Sequence, residues 1–143
     1  MNGDFLKSIR ETFDLESDNP AEVSPLILAY IGDAVYDVIT RTIVISKGNR
    51  PVNEINKDNK YYVNAATQSQ LSKVLESRFS DEESAQFKRG RNAKSHSSAK
   101  NASLRDYRKA TGLEAVIGYL FLCGKEDRIL ELLRLGFDEI GKE

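Results

Sequence analysis

The 143-residue sequence contains one cysteine, one histidine, three prolines and no tryptophan. Cys123 alone cannot form an internal disulfide, and Cys123 with His96 is too little for a Cys/His zinc cluster. No apolar run approaches the roughly 20 residues that span a bilayer, and the N-terminus shows no secretory signal. We therefore expect a cytoplasmic protein without a membrane partner, in which the carboxylates are the candidate groups for chemistry.

Positive charge is concentrated in one part of the chain. The net charge is −1, but residues 88–109 contain eight Lys and Arg against a single acid, Asp106, so that the remainder sums to about −8. One basic segment on an otherwise acidic chain indicates a localised contact with a polyanion. The alternative is a solvated basic loop without a partner.

Apolar residues recur at helical spacing along the chain, and no segment alternates as a strand would, so the predicted fold class is all-α. Length and composition fit one domain over residues 1–143. The N-terminal amphipathic helix is predicted over 3–13, and the core over 24–143. The later helices are predicted from 25 to about 46, 53 to 59, 60 to 79, 80 to 89, 104 to 123 and 126 to 140, with a loop at 90–102.

The most apolar segment, residues 26–41, carries two carboxylates, Asp33 and Asp37. On a helix, Tyr30, Asp33, Asp37 and Thr40 form one narrow polar stripe. Apolar side chains cover most of the remaining surface, so we expect this helix to be buried on nearly all sides. A buried carboxylate costs several kcal/mol unless a cation or strong donors receive it. A structural ion pair or a cap is the plain alternative to a functional site.

A second apolar helix, at 104–123, contains Glu114. Gly32 directly precedes Asp33, and Gly118 follows Glu114 by four residues. Glycine permits close packing of helices; if the two helices cross there, Asp33 and Glu114 face each other. Two ionised carboxylates in contact either share a proton or hold a cation. Oxygen ligands without imidazole or thiolate suit Mg²⁺ or Mn²⁺, and such a metal beside a basic surface suits phosphodiester hydrolysis.

Two motifs resemble those of the ribonuclease III family. Tyr30-Ile-Gly-Asp-Ala-Val-Tyr36 resembles the family signature, and Gly112-Leu-Glu-Ala-Val-Ile-Gly118 is similar to its second acidic motif. The resemblance spans roughly residues 24–124. It implies an all-helical endonuclease domain in which Asp33 and Glu114 are the metal-associated catalytic acids. It also implies a homodimer whose two active sites cut opposite strands of double-stranded RNA, leaving 5′-phosphate and 3′-hydroxyl ends.

The chain departs from the larger enzymes of that family at three acidic positions. Leu26 and Ala29 stand seven and four residues before the motif aspartate, and Thr111 stands three residues before the motif glutamate. Fewer acids leave the number of metal ions and their ligands open. Asp37 and Thr111 are therefore candidate helpers, although Asp37 is equally suited to an ion pair with Arg41.

Because the sequence ends at residue 143, we expect the family's separate double-stranded-RNA-binding domain to be absent. This combination resembles the short Mini-III group, which implies a Mg²⁺-dependent endoribonuclease that matures precursor 23S ribosomal RNA, with a large-subunit ribosomal protein as a further candidate partner. The rival interpretation is a noncatalytic duplex-RNA-binding or ribosome-associated scaffold with the same fold; a helical module that binds an acidic protein is more distant. The predicted RNA contacts lie in the basic segment: Lys88, Arg89, Arg91, Asn92, Lys94 and Ser95.

Overall fold

The computed structural model describes residues 2–93 and 103–141, and within these ranges the protein has seven α-helices and no strand, as predicted. Among the helices of these ranges, none combines the length and the hydropathy that a bilayer crossing requires. Two 3-10 turns, Pro20–Glu22 and Glu76–Arg78, lie in the connections between α-helices. The helices are α1 (Asp4–Thr12), α2 (Pro25–Ile45), α3 (Val52–Val63), α4 (Ala65–Leu75), α5 (Asp81–Asn92), α6 (Leu104–Leu122) and α7 (Glu126–Ile140).

Side-chain N-caps begin helices α5 and α6. Ser80 and Glu83 form a reciprocal capping box: Ser80 Oγ accepts from the Glu83 N–H at 3.2 Å, and Glu83 Oε1 accepts from the Ser80 N–H at 2.8 Å. Ser103 Oγ accepts from the Asp106 N–H at 3.1 Å. Each bond satisfies an N–H group that the start of a helix leaves unpaired. Helices α5 and α6 therefore begin where the sequence signals predict.

The predicted boundary between helices 53–59 and 60–79 was wrong. Helix α3 continues to Val63, and Asn64 separates it from α4. Asn64 has an extended backbone, and its Oδ1 accepts from the Thr67 N–H at 2.8 Å, which starts the next helix. The apolar periodicity runs across this break, and therefore periodicity alone does not reveal it. Helix α5 likewise continues past residue 89 to Asn92, and most of the predicted loop, 94–102, lies outside the described residues.

Helix α6 is the centre of the packing, with α2, α4 and α5 against its sides. Between Ala110 and Leu120 every residue of α6 is buried except Glu114, which is half-buried. The core around it is aliphatic and aromatic, and its largest fully buried side chains are Tyr36, Phe87, Leu28, Leu71, Leu75, Leu113, Leu120 and Ile129.

Helix α2 is buried on one side only, so the prediction that it is buried on nearly all sides was wrong. Ile27, Tyr30 and Val38 are 58%, 81% and 66% exposed. Its apolar surface is wider than the face that α6 and the other packed helices cover. The buried face consists of Leu28, Ala29, Gly32, Tyr36, Thr40 and Val44.

Helices α2 and α6 cross at two glycines. A Cβ atom on Gly32 would lie 1.8 Å from the Glu114 carbonyl oxygen, and a Cβ atom on Gly118 would lie 1.9 Å from the Leu28 carbonyl oxygen. Each glycine therefore admits the backbone of the other helix. This close crossing confirms the predicted contact between the two helices and brings the side chains of Asp33 and Glu114 to the same place.

Candidate active site

The side chains of Asp33 and Glu114 meet beside the glycine crossing. Burial, and then hydrogen bonding and repulsion from Asp33, raise the pKa of the Glu114 carboxyl group to about 9. Asp33 is exposed, whereas Glu114 is half-buried. At neutral pH and without a cation, Glu114 therefore keeps its proton and its O–H can donate to the Asp33 carboxylate. The pair therefore has one recessed carboxyl group, that of Glu114, and one solvent-exposed carboxyl group, that of Asp33.

This donor set fits a small hard cation. Asp33 and Glu114 offer carboxylate oxygens, and within the described ranges no group of three or more Asp, Glu, His or Cys side chains is arranged to hold a metal ion. Mg²⁺ prefers oxygen ligands and characteristically keeps several waters beside one or two protein carboxylates. A bound divalent cation would also offset the burial and the repulsion from Asp33 that raise the pKa of Glu114. Asp33 and Glu114 are the residues that could hold such a metal.

An open cleft of about 820 Å³ adjoins Asp33 and separates α2 from α3. Asp33, Asp37 and Arg41 line its α2 side. The α3 side is polar or basic except at its end, and it consists of Asn53, Asn56, Lys57, Asn59, Lys60 and Val63. A nucleic-acid strand in this cleft would have carboxylates on one side and cations with amides on the other.

Asp37, a candidate helper, has donors on both carboxylate oxygens. Arg41 Nε lies 2.9 Å from Asp37 Oδ2, and Asn59 Nδ2 donates to Asp37 Oδ1 at 3.3 Å. Asn59 is a buried residue of α3, whereas Asp37 belongs to α2, so their hydrogen bond joins the two walls of the cleft. In this structure Asp37 therefore shapes the cleft, as the ion-pair alternative anticipates.

Thr111, the other candidate helper, lies on α6 one turn before Glu114. Its hydroxyl donates to the Tyr107 carbonyl oxygen at 3.0 Å, and its side chain is buried. This intrahelical bond is the common arrangement for a threonine within a helix. It keeps the Thr111 hydroxyl within its own helix.

Tyr36, on the buried face of α2, links this helix to the end of α3. It is fully buried, its hydroxyl donates to the Tyr62 carbonyl oxygen, and its ring packs against Phe137 with centroids 6.4 Å apart. Burial, followed by the nearby charge of Glu114, raises the pKa of the Tyr36 hydroxyl above its ordinary value. The hydrogen bond from Tyr36 to Tyr62 attaches the C-terminal end of α3 to α2.

The predicted RNA contacts occupy different environments. Lys88 is exposed, as a phosphate contact requires. The Arg89 guanidinium donates to the carbonyl oxygens of Ala21 at 3.3 Å and Val23 at 3.0 Å, and to Gln86 Oε1 at 2.6 Å. These bonds attach α5 to the connection before α2. Arg89 thus has a structural role here that the basic composition of its segment did not indicate.

Arg91 and Asn92 lie at the C-terminal end of α5. Arg91 is half-buried over the Phe87 ring, 5.8 Å from its centroid, and its Nε donates to Asn92 Oδ1 at 3.3 Å. With Glu76 and several cations of α6, the two residues line a second cleft of about 580 Å³. Lys94 and Ser95 lie outside the described residues. The α6 cations in this cleft are Arg105, Arg108 and Lys109.

The α3 residues of the first cleft are not among the residues predicted from the sequence. Asn53, Asn56, Lys57 and Lys60 follow the spacing i, i+3, i+4, i+7, which places them on one helix face. The pattern is visible in the sequence, but a polar helix face ordinarily meets only solvent. Only the position of α3 opposite Asp33 distinguishes it.

Comparison with known proteins finds relatives over most of the chain. The Ribonuclease III domain family matches residues 26–125. The Mini-ribonuclease 3 of Clostridium tetani is 48% identical over 115 residues, 80% of this chain and 76% of that protein. The Mini-ribonuclease 3 of Thermoanaerobacter sp. is 37% identical over 140 residues, 98% of this chain and 99% of that protein. A crystal structure of a Fusobacterium nucleatum protein has a TM-score of 0.77 at 29% identity and covers 83% of this chain and 97% of its own.

Proposed function

The chain belongs to the ribonuclease III family and is an endoribonuclease similar to the Mini-ribonuclease 3 proteins, and from this premise we propose that it cleaves double-stranded RNA with Mg²⁺ held by Asp33 and Glu114. Mn²⁺ is the expected substitute. The observation that supports the proposal most directly is the carboxyl pair at the glycine crossing, where the pKa of Glu114 is raised to about 9. A noncatalytic scaffold has no need for a carboxyl pair that is costly to bury.

Asp33, Glu114 and the cation that they would bind have distinct roles in the proposed phosphodiester hydrolysis. A divalent cation bound here would orient water and stabilise the charge that develops on the phosphate. Asp33, at the cleft wall, and Glu114, recessed beside α2, are the residues that would hold this cation next to the space that a phosphodiester can enter. In the proposed reaction, water attacks phosphorus in line, and the bond from phosphorus to the 3′-oxygen breaks; the 3′-oxygen takes up a proton, which gives 5′-phosphate and 3′-hydroxyl ends.

The proposed assembly is a homodimer, because two active sites are needed to cut both strands of a duplex. An apolar groove of about 380 Å³ lies between α1, α2 and α7. Val38 and Phe5 line it and are 66% and 72% exposed. An apolar face of this kind on a short chain suits a second copy related by twofold symmetry. The remaining groove residues include Ile9, Ile31, Ala34, Val35, Ile39 and Leu130.

The proposed biological substrate is precursor 23S ribosomal RNA in the bacterial cytoplasm. The similarity to Mini-ribonuclease 3 proteins and the basic residues at the end of α5 support an RNA of duplex form. A large-subunit ribosomal protein is a candidate partner that would present this RNA.

The decisive assay compares nucleic acids of matched sequence. We expect wild-type protein to cleave duplex RNA in Mg²⁺, to retain activity in Mn²⁺ and to lose it in EDTA, because the carboxyl pair requires a cation for the chemistry. Single-stranded RNA and duplex DNA should be cut at least tenfold more slowly, since the enzyme is expected to recognise the A-form duplex. Denaturing gels with end-labelled substrates measure the rates of all five reactions. Full activity in EDTA, or equal cleavage of the single strand, would contradict the proposal.

The dimer can be tested on the exposed face of α2. We expect wild type to sediment at twice 16.1 kDa at micromolar concentration, whereas Val38→Asp should weaken association roughly a hundredfold because it buries an unpaired charge. Val52→Asp is the matched control, since Val52 is 68% exposed on α3 outside the groove. Sedimentation velocity of the three proteins provides the measurement. A wild-type protein that sediments only as the 16.1 kDa species would count against the dimer.

A further inference from the structure

One face of α3 is a polar stripe directed into the cleft. Asn53, Asn56, Lys57 and Lys60 share this face, all four are exposed, and all four line the cleft opposite Asp33. Because an α-helix rises 1.5 Å per residue, the stripe is about 10 Å long. That length exceeds a single phosphate group, so the stripe can contact more than one nucleotide of a strand.

Two cations of the stripe are available for an anion. Within residues 2–93 and 103–141, neither Lys57 nor Lys60 makes an ion pair or a side-chain hydrogen bond. The other cation at this cleft, Arg41, is engaged with Asp37 at 2.9 Å. Lys57 and Lys60 therefore remain free to meet a charged group within the cleft.

The negative charge opposite α3 makes nearby positive charge necessary for phosphate binding. Asp33 and Glu114 together would repel an incoming phosphodiester, and a single divalent cation offsets only their own two charges. A phosphate beside this site therefore requires further positive charge close by. Lys57 and Lys60 supply it across the cleft, and the amides of Asn53 and Asn56 can hydrogen-bond to phosphate or ribose oxygens.

We propose that α3 is a strand-binding wall: Lys57 and Lys60 contact the phosphates on either side of the cleaved bond, and Asn53 and Asn56 make uncharged contacts to the same sugar-phosphate backbone. This proposal rests on the proposed function and adds to the contacts predicted in the basic segment. The contacts are to the backbone, so they align the strand with Asp33 without reading its sequence.

The test is a salt titration of duplex-RNA binding in Ca²⁺, chosen to hold the complex without efficient turnover. Lys57→Ala/Lys60→Ala should raise Kd about tenfold or more and reduce the slope of log K against log salt by roughly one to two units. Lys7→Ala/Lys125→Ala removes two exposed lysines outside the cleft, and it should preserve the slope. Asn53→Ala/Asn56→Ala should raise Kd without changing the slope, because no charge is lost.

The outcomes separate this proposal from the proposed function. If wild type cleaves duplex RNA in Mg²⁺ while Lys57→Ala/Lys60→Ala keeps wild-type affinity and slope, α3 is not a strand-binding wall and the enzyme assignment stands. An equal change in both double-lysine variants would also overturn the proposal, because the effect would then reflect net charge alone. Thermal unfolding should show unchanged stability for the exposed-lysine variants. Wild type that fails to cleave duplex RNA would contradict the proposed function instead.

Discussion

Asp33→Asn and Glu114→Gln will each lower duplex-RNA cleavage in Mg²⁺ by roughly a thousandfold or more while the protein stays folded. Each change removes one of the two carboxylates at the α2–α6 crossing, and within the described ranges no cluster of other ligand side chains could replace it. The side-chain volumes are nearly conserved, so packing at the crossing is retained. Single-turnover cleavage together with circular dichroism measures both parts of the prediction.

Glu114→Gln should also stabilise the metal-free protein. The pKa of Glu114 is raised from 4.5 to about 9, so between these values the folded state retains a proton that the unfolded chain has released. The free energy of unfolding of wild type therefore falls as pH rises through this window. Glu114→Gln removes this slope and should be more stable than wild type in EDTA at pH 8.5, by on the order of 1–3 kcal/mol, with a smaller difference at pH 5.5.

Glu16→Gln is the matched control for both measurements, because Glu16 is exposed in the connection after α1. It should cleave RNA and unfold like wild type at each pH. Wild-type turnover by either folded active-site variant would overturn the assignment of the carboxyl pair. Equal pH dependence of stability in wild type and Glu114→Gln would show that Glu114 does not retain its proton.

Gly32→Ala and Gly118→Ala will each abolish stable folding, with an expected loss of at least about 4 kcal/mol. The added Cβ atoms would lie 1.8 Å from the Glu114 carbonyl oxygen and 1.9 Å from the Leu28 carbonyl oxygen. These neighbours are backbone atoms of packed helices and cannot move aside as a flexible side chain can. Without such contacts, alanine would stabilise a helix by roughly 1 kcal/mol relative to glycine, so the sign of the effect is diagnostic.

Gly141→Ala is the control for this pair. Gly141 has a φ of −69°, which alanine adopts readily, and it lies at the end of α7 away from the crossing. We expect its urea midpoint to stay within the equivalent of about 0.5 kcal/mol of wild type. A Gly32→Ala protein with an unchanged midpoint would mean that α2 and α6 do not cross as closely as described.

The local sequence determined where several helices begin. A capping box needs only Ser80 and the glutamate three residues later, and Ser103 needs only the N–H groups that follow it. Both signals act within one turn and do not depend on the rest of the fold. The last helix, predicted at 126–140, also begins and ends as predicted, because its apolar stripe is regular and glycine follows it.

The two acidic motifs also carried information beyond their own helices. Each combines one acid with a nearby glycine, Gly32 directly before Asp33 and Gly118 four residues after Glu114, and glycine in an apolar helix permits a close neighbour. Asp33 and Glu114 could therefore be paired from the sequence before any contact was known. The family resemblance of both motifs pointed to the same pair and to the same class of chemistry.

Tertiary packing alone decided which surfaces remain open. The apolar residues of α2 are spread around the whole helix, and only the positions of α6, α1 and the other helices determine that Tyr30 and Val38 remain exposed. Arg89 belongs to a basic segment by composition, yet the nearby carbonyl oxygens of Ala21 and Val23 occupy its guanidinium. Proximity in space, which charge counts do not record, assigns it a structural role.

The α3 stripe depends on tertiary structure in the same way. Asn56, Lys57 and Lys60 form a regular polar face in the sequence, but such a face is equally suited to bulk solvent. Asn64 ends α3, and the hydrogen bond from Tyr36 to the Tyr62 carbonyl oxygen holds that end against α2. Helical spacing determines which side chains share a face. Contacts between residues distant in the sequence determine what lies opposite that face, and for α3 they place the cleft and Asp33 there.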